Sequence, residues 1–95
     1  MEKKSKKIAK SGDMVSVDFT GKLEDEKVFD TSEGKQPLQF MIGVGQYLKG
    51  FENGIIGMEE GSEKEIIIPA GKGYDKGELA GKKLIFKIKL IKIGF

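Results

Sequence analysis

Residues 43–58 read GVGQYLKGFENGIIGM, and this stretch predicts a short amphipathic helix directly after a glycine-rich bend. Its large apolar side chains recur at the spacing of one helix face: Leu48, Phe51, Ile55 and Met58. Five of the sixteen residues are glycine, and each glycine inside a helix costs up to about 1 kcal/mol relative to alanine. We therefore expect about two to three helical turns that need a sheet to pack against, with Gly57 as the C-terminal cap.

Three runs of alternating apolar and polar residues and two short runs without alternation predict strands on both sides of this helix. The runs are residues 13–20, 28–29, 37–42, 63–68 and 82–93. In the last run, the adjacent apolar residues Leu90 and Ile91 predict a bulge that turns Ile91 and Ile93 toward the core. Several strands and one short helix indicate an α+β fold with an antiparallel sheet.

The length and charge of the chain predict one domain with a basic leader. Ninety-five residues suffice for a single core and one active site. Residues 1–10 carry five lysines against one glutamate, whereas the remaining chain carries twelve lysines against fourteen acidic residues. We expect residues 1–10 to form a Lys-rich flexible tail and residues 11–95 to form the domain. The tail could bind a polyanion, but it has no interleaved aromatic residues, so nucleic acid is not an expected partner.

The composition excludes several classes of chemistry. All seventeen basic residues are lysine, and the chain contains no histidine, cysteine or tryptophan. A Ser-His-Asp or Cys-His nucleophile, a zinc site and an arginine clamp for phosphate would all need missing side chains. No cofactor or metal is therefore expected. Because no apolar run of signal-peptide or membrane-spanning length occurs, we expect a cytoplasmic location and no membrane partner.

Six short motifs together resemble the FKBP family of peptidyl-prolyl cis-trans isomerases. They are DFTG at 18–21, VFD at 28–30, PLQF at 37–40, KGFE at 49–52, GYD at 73–75 and LIF at 84–86. Each motif alone is weak, because an aromatic residue on an alternating strand usually belongs to the core. Their joint order and spacing over residues 12–93 carry the resemblance.

The resemblance implies a curved antiparallel β-sheet wrapped around one short α-helix, with an apolar cleft for a proline ring between them. Phe51 would form the floor of the cleft. Its walls would be Phe19, Phe29, Leu38, Tyr47, Leu48 and Phe86. The Leu48 amide and the Tyr74 hydroxyl would donate hydrogen bonds to a substrate carbonyl, so that Tyr74, Asp30 and Phe86 are the expected catalytic residues. The implied partners are proline-containing peptides, unfolded protein segments and macrolides, bound by a monomer.

Two of these residues have other interpretations. Asp30 could orient Tyr74 or polarise the bound amide, but an aspartate ahead of Thr31 and Ser32 could equally bond nearby backbone amides of a turn. Tyr74 could be a packing residue with a satisfied hydroxyl. The whole cleft could also belong to a peptide-binding module without catalytic activity, because a fold does not fix an activity.

The loop at residues 73–84, GYDKGELAGKKL, is short and looks like that of the trigger-factor and SlyD-like isomerase domains. We therefore expect a prokaryotic member of the family that lacks the SlyD flap insertion. Phe51 stands where many members have tryptophan, and Leu38 stands where an aromatic residue is frequent. These two departures leave the ligand preference open.

Overall fold

The computed structural model describes residues 7–74, 77 and 79–94. Within these residues the chain forms one helix and five strands. In chain order they are β1 (Met14–Lys22), β2 (Val28–Thr31), β3 (Leu38–Met41), α1 (Lys49–Ile55), β4 (Glu63–Ile68) and β5 (Leu84–Ile93). The strands lie in the order β2-β1-β5-β4, with β3 also paired to β1, and all the pairings are antiparallel. This arrangement confirms the predicted α+β fold.

The two longest strands, β1 and β5, form the centre of the sheet and supply much of the core. Val15 and Val17 on β1 and Leu84, Phe86, Ile88 and Leu90 on β5 are buried on the inner face. A bulge follows Leu90, because Val17 pairs with Leu90 while the adjacent Ser16 pairs with Lys92. The predicted bulge is therefore present, but only Ile93 turns inward. Ile91, expected in the core, is the extra residue and is 37% exposed.

The helix α1 packs against β4 through two glycines. A Cβ atom added at Gly50 would lie 3.2 Å from Ile68 Cγ1, and one added at Gly54 would collide with the side chain of Ile66. Glycine at these positions lets the helix backbone approach the sheet closely, so the helix depends on the packing that its composition demands. The helix ends at Ile55, earlier than its apolar spacing indicated, because Ile56 has the extended ψ of 128°.

The N-terminal segment is docked on the domain from residue 7. Ala9 is buried, its amide donates to the Met58 carbonyl at 2.9 Å, and its carbonyl accepts from the Gly57 amide at 2.9 Å. Ile8 forms a bridge with Glu59. The expectation of a flexible tail through residue 10 is therefore wrong for residues 7–10, because an apolar alanine in this short run has a place in the core. Residues 1–6 lie outside the described part of the chain.

The structure places one further limit on the topology. The described residues contain no helix that is long and apolar enough to cross a membrane.

Candidate active site

An apolar cleft of about 490 Å³ opens between α1, the segment that precedes it and the inner face of the sheet. All nine predicted site residues line this cleft, and Gln46 lines it as well. The lining residues are Phe19, Phe29, Asp30, Leu38, Gln46, Tyr47, Leu48, Phe51, Tyr74 and Phe86. Residues from six separate parts of the sequence therefore converge on one site.

The floor of the cleft is a cluster of aromatic rings around Phe51. Its ring centroid lies 5.0 Å from that of Phe86, at an interplanar angle of 70°, and 6.0 Å from that of Phe19, at 81°. These are edge-to-face contacts, which aromatic pairs favour over flat stacking. Because Phe51 is nearly fully buried, its position is fixed by the core beneath it. The floor is therefore rigid and apolar.

Gly21 on β1 gives two wall residues the room that they occupy. It pairs with Phe86 on β5, and it lies beside the Phe29 ring. A Cβ atom at Gly21 would come within 2.6 Å of Phe29 Cζ and 2.9 Å of Phe86 Cε1. The two rings meet edge to face over this glycine, with centroids 5.6 Å apart. The missing side chain thus shapes one wall of the cleft.

The opposite wall comes from loop 43–47 and the residue that precedes the helix. The ring of Tyr47 contacts Phe40, with centroids 5.0 Å apart, and Phe51, with centroids 6.1 Å apart. Leu48 has φ −58° and ψ 139°, so it stands just outside the helix. Its amide donates no hydrogen bond to a described residue and is free to bind a ligand carbonyl.

Tyr74 and Asp30 form the polar end of the cleft. Tyr74 is 40% exposed. Partial burial, and in second place the negative charge of Asp30, raise the pKa of its hydroxyl above the ordinary value of 10.0. The phenol therefore stays protonated, as a hydrogen-bond donor must.

The structure supports both interpretations of Asp30. Its Oδ1 accepts a hydrogen bond from the Thr31 amide at 2.9 Å, as a turn carboxylate would. It also lines the cleft close enough to Tyr74 to act on that pKa. No hydrogen bond joins the two side chains in the described structure, so any effect of Asp30 on Tyr74 in this state is electrostatic. The catalytic role of Asp30 stays a prediction.

A larger groove of about 730 Å³ lies on the other face of the sheet, but its chemistry is different. It is lined mainly by lysines and acidic residues from β1, β4, β5 and loop 32–35. Eight of its thirteen lining residues are charged, and only Phe19 and Ile88 are large and apolar, so it encloses a proline ring less well than the aromatic cleft does. Among the described residues, no group of three or more acidic side chains could hold a metal ion. The apolar cleft is therefore the candidate active site.

Comparison with known proteins gives the family. Residues 5–91 match the family described as FKBP-type peptidyl-prolyl cis-trans isomerase. The chain belongs to the FKBP family. It is 44% identical over 89 residues to FK506-binding protein 4 of Aspergillus fumigatus, a match that covers 90% of this chain and 18% of the relative. It is 38% identical over 91 residues to human peptidyl-prolyl cis-trans isomerase FKBP2, covering 90% of this chain and 64% of the relative.

The comparisons support the expected family but not the expected prokaryotic subgroup. The resemblance to FKBP isomerases is confirmed. These relatives are fungal and mammalian, so they do not support the expected prokaryotic type. The chain spans about a fifth of the fungal relatives and just under two thirds of the FKBP2 proteins.

Three residues that shape this FKBP cleft were not predicted from the sequence. Gln46 lines it, Gly21 makes space for two of its rings, and Glu52 holds the loop that carries Tyr47. Gly21 did carry a signal: it has the same parity on β1 as the inward-facing Val17 and Phe19, and a glycine inside a strand often marks a close approach. Glu52 carried none, because its partners follow from the path of a loop.

Proposed function

We propose that this protein is a peptidyl-prolyl cis-trans isomerase that accelerates rotation about Xaa-Pro bonds during protein folding. The observation that carries the proposal is the cleft itself, in which an aromatic floor meets two hydrogen-bond donors, the Tyr74 hydroxyl and the Leu48 amide. The floor is suited to a proline ring. The two donors are suited to bind a carbonyl oxygen of the substrate next to the Xaa-Pro bond that rotates.

The proposed mechanism lowers the barrier without making or breaking a covalent bond. Rotation about a peptide bond is opposed by a barrier of about 18–20 kcal/mol, because resonance delocalises the nitrogen lone pair into the carbonyl. A twisted amide has less charge separation, so an apolar cleft that removes water from the carbonyl favours the twisted transition state. Phe19, Phe51 and Phe86 would provide this dry surface. The Tyr74 hydroxyl would donate to a substrate carbonyl in the geometry that the rotated bond gives it, so that its hydrogen bond favours the transition state.

No proton transfer is needed in this mechanism. Asp30 is the only charged residue among the ten described residues that line the cleft. The raised pKa of Tyr74 keeps its hydroxyl protonated. The composition of the site, which would be poor for hydrolysis or group transfer, is adequate for isomerisation.

Acceleration of a refolding reaction that is limited by prolyl isomerisation would test this function. The uncatalysed step takes about 10–100 s at 25 °C, so catalysis is easily measured. We expect Tyr74→Ala to lower kcat/KM about fivefold, the value of one hydrogen bond of about 1 kcal/mol. Ile67→Ala is the control, because Ile67 is exposed on β4 and does not line the cleft.

A peptide-binding module without catalytic activity is the second candidate. Both functions would use the same apolar cleft, so binding alone does not distinguish them. If the protein binds a proline-containing peptide at the cleft but leaves the refolding rate unchanged, the isomerase proposal is wrong and the module is correct. If it neither binds nor accelerates, both are wrong.

The proposal extends to partners, location and subgroup. We propose proline-containing peptides and unfolded segments as substrates and a macrolide as a ligand of the same cleft, since five fungal relatives are named FK506-binding proteins. We propose a cytoplasmic monomer. The prokaryotic type rests on the sequence of residues 73–84 alone, three of which lie outside the described structure.

A further inference from the structure

Glu52 is a buried carboxylate that the proposed chemistry does not use. Only 4% of its surface is exposed, and it forms no ion pair with a described lysine. Burying a charged group without a partner is costly, so its hydrogen bonds must compensate for the lost water. They do so in an unusual way, because both of them leave the helix on which Glu52 lies.

The carboxylate of Glu52 bonds both ends of loop 43–47. Its Oε1 accepts from the Gly43 amide at 2.7 Å, and its Oε2 accepts from the Tyr47 amide at 2.9 Å. The described structure gives this loop no other hydrogen bond. Gly43 and Gly45 have φ of 97° and 82°, which is a conformation that only glycine adopts without strain. The loop therefore has a flexible backbone and a single polar anchor.

The loop is one wall of the cleft. It carries Gln46 and Tyr47 into the cleft, and Leu48 follows directly with its free amide. Phe51, the floor of the cleft, precedes Glu52 on the helix. The Tyr47 ring packs this wall against Phe40 and Phe51. The two oxygens of Glu52 add the hydrogen bonds that tie the backbone of the loop to the helix.

We propose that Glu52 is a positioning residue that holds loop 43–47 at the distance from Phe51 needed for substrate binding. This inference rests on the proposed function, because it assumes that the cleft binds a proline-containing peptide. Charge-assisted hydrogen bonds to backbone amides are short and strong, and two of them from one carboxylate fix both distance and orientation. Glu52 itself does not touch the substrate.

The first test compares two glutamate-to-glutamine variants. In Glu52→Gln the side chain keeps one acceptor oxygen and presents an NH₂ group to the second amide, so one end of the loop is released. Glu60→Gln is the matched control, because Glu60 Oε2 also accepts a backbone hydrogen bond, from Ile93 at 2.8 Å, but does not line the cleft. Both variants lose one negative charge. Only Glu52→Gln must lose an amide contact, because Glu60 accepts a single backbone hydrogen bond that the remaining oxygen of glutamine can keep.

We expect Glu52→Gln to lower kcat/KM about tenfold, equivalent to about 1.4 kcal/mol. Most of the change should be a rise in KM, with kcat within about threefold, because the wall contributes to ground-state and transition-state binding alike. Glu60→Gln should leave both constants within about twofold. If the folded Glu52→Gln variant has the kinetic constants of the control, the positioning role is refuted.

The second test uses the unmodified protein and does not depend on catalysis. Amide hydrogen exchange followed by NMR should be at least about tenfold slower at Gly43 and Tyr47 than at Val44 and Gly45, whose amides bond no described acceptor. Equal exchange at all four amides would overturn the proposal, even if Glu52→Gln does not fold. If Gly43 and Tyr47 exchange slowly but the protein does not accelerate refolding, the Glu52 hydrogen bonds are supported and the isomerase proposal is refuted.

Discussion

Gly21→Ala is expected to damage the cleft more than the fold. The new Cβ atom would lie 2.6 Å from Phe29 Cζ and 2.9 Å from Phe86 Cε1, whereas an ordinary contact is at least 3.4 Å. Phe29 must therefore move by close to 1 Å, and Phe86 by about half as much. Phe86 is packed in the core and resists displacement, whereas Phe29 is only partly buried and has the open cleft in front of it. The displaced ring would enter the space meant for proline.

The size of the effect follows from that asymmetry. An extra methyl group in a packed region costs about 1–3 kcal/mol, and a neighbour that can move lowers the cost, so we expect a loss of about 1 kcal/mol in the free energy of unfolding. The effect on activity should be larger than the effect on stability, because a shift of about 1 Å in a positioned group can change a rate about a hundredfold. We expect kcat/KM to fall at least about tenfold.

Gly54→Ala is the matched control, because it also drives a methyl group into a neighbouring side chain. The collision is with Ile66 in the core, not with a cleft residue. This variant should therefore lose stability while keeping the kcat/KM of its folded fraction within about threefold. Urea denaturation gives the stability and an Xaa-Pro peptide assay gives the activity. A Gly21→Ala protein with unchanged kcat/KM would refute this account of the cleft. So would a Gly54→Ala protein whose folded fraction loses as much kcat/KM as Gly21→Ala does.

Two further predictions concern the N-terminus and the pH dependence. Removing residues 1–6 should leave stability and isomerisation unchanged. Ala9→Asp should lower the free energy of unfolding by about 2 kcal/mol or more, because it buries a carboxylate where Ala9 is 1% exposed. Equal melting temperatures for Ala9→Asp and the parent protein would contradict the docking of this segment. With no histidine or cysteine in the chain, kcat/KM for an uncharged peptide should stay within about twofold from about pH 6 to about pH 9. The pKa of Tyr74 is raised on folding, so its contribution to stability is complete below pH 10.0 and is lost as the pH rises through the folded value. Asp30→Asn should lower the pKa of Tyr74, so the loss of its stabilising contribution at alkaline pH should begin at a lower pH. A change in kcat/KM inside the neutral range would show that another group transfers a proton.

The sequence predicts those features that depend on local periodicity. The alternation in residues 13–20 and 82–93 lies close to strands Met14–Lys22 and Leu84–Ile93, because a sheet buried on one face needs apolar side chains at every second position. The helix was found but placed too far toward Met58, which is buried beyond the helix end. Apolar spacing reports burial, and it cannot tell a buried residue of a helix from one of the following turn.

Features that depend on the partner element were missed or misplaced. The adjacent Leu90 and Ile91 signalled a bulge, but only the pairing with β1 determines that Ile91 is the residue left exposed. Ala9 lay in a run rich in lysine, and its burial depends on the Gly57 and Met58 backbone groups after the helix. The nine predicted cleft residues came from the family resemblance, since no local pattern brings Phe19, Phe51 and Phe86 together.

The cleft is built from residues that also belong to the core. Its rings are core residues on one side and cleft residues on the other, so the packing that stabilises the fold also fixes the site: Phe51 is nearly fully buried and still forms the floor. The less buried parts of the cleft depend on two small features. The Phe29 ring occupies space that Gly21 leaves open, and the Glu52 carboxylate holds loop 43–47. If desolvation is the main source of catalysis, residues that touch no substrate should control the rate through the shape of the cleft. Gly21→Ala and Glu52→Gln should then both lower kcat/KM, the first by filling the cleft and the second by releasing its wall.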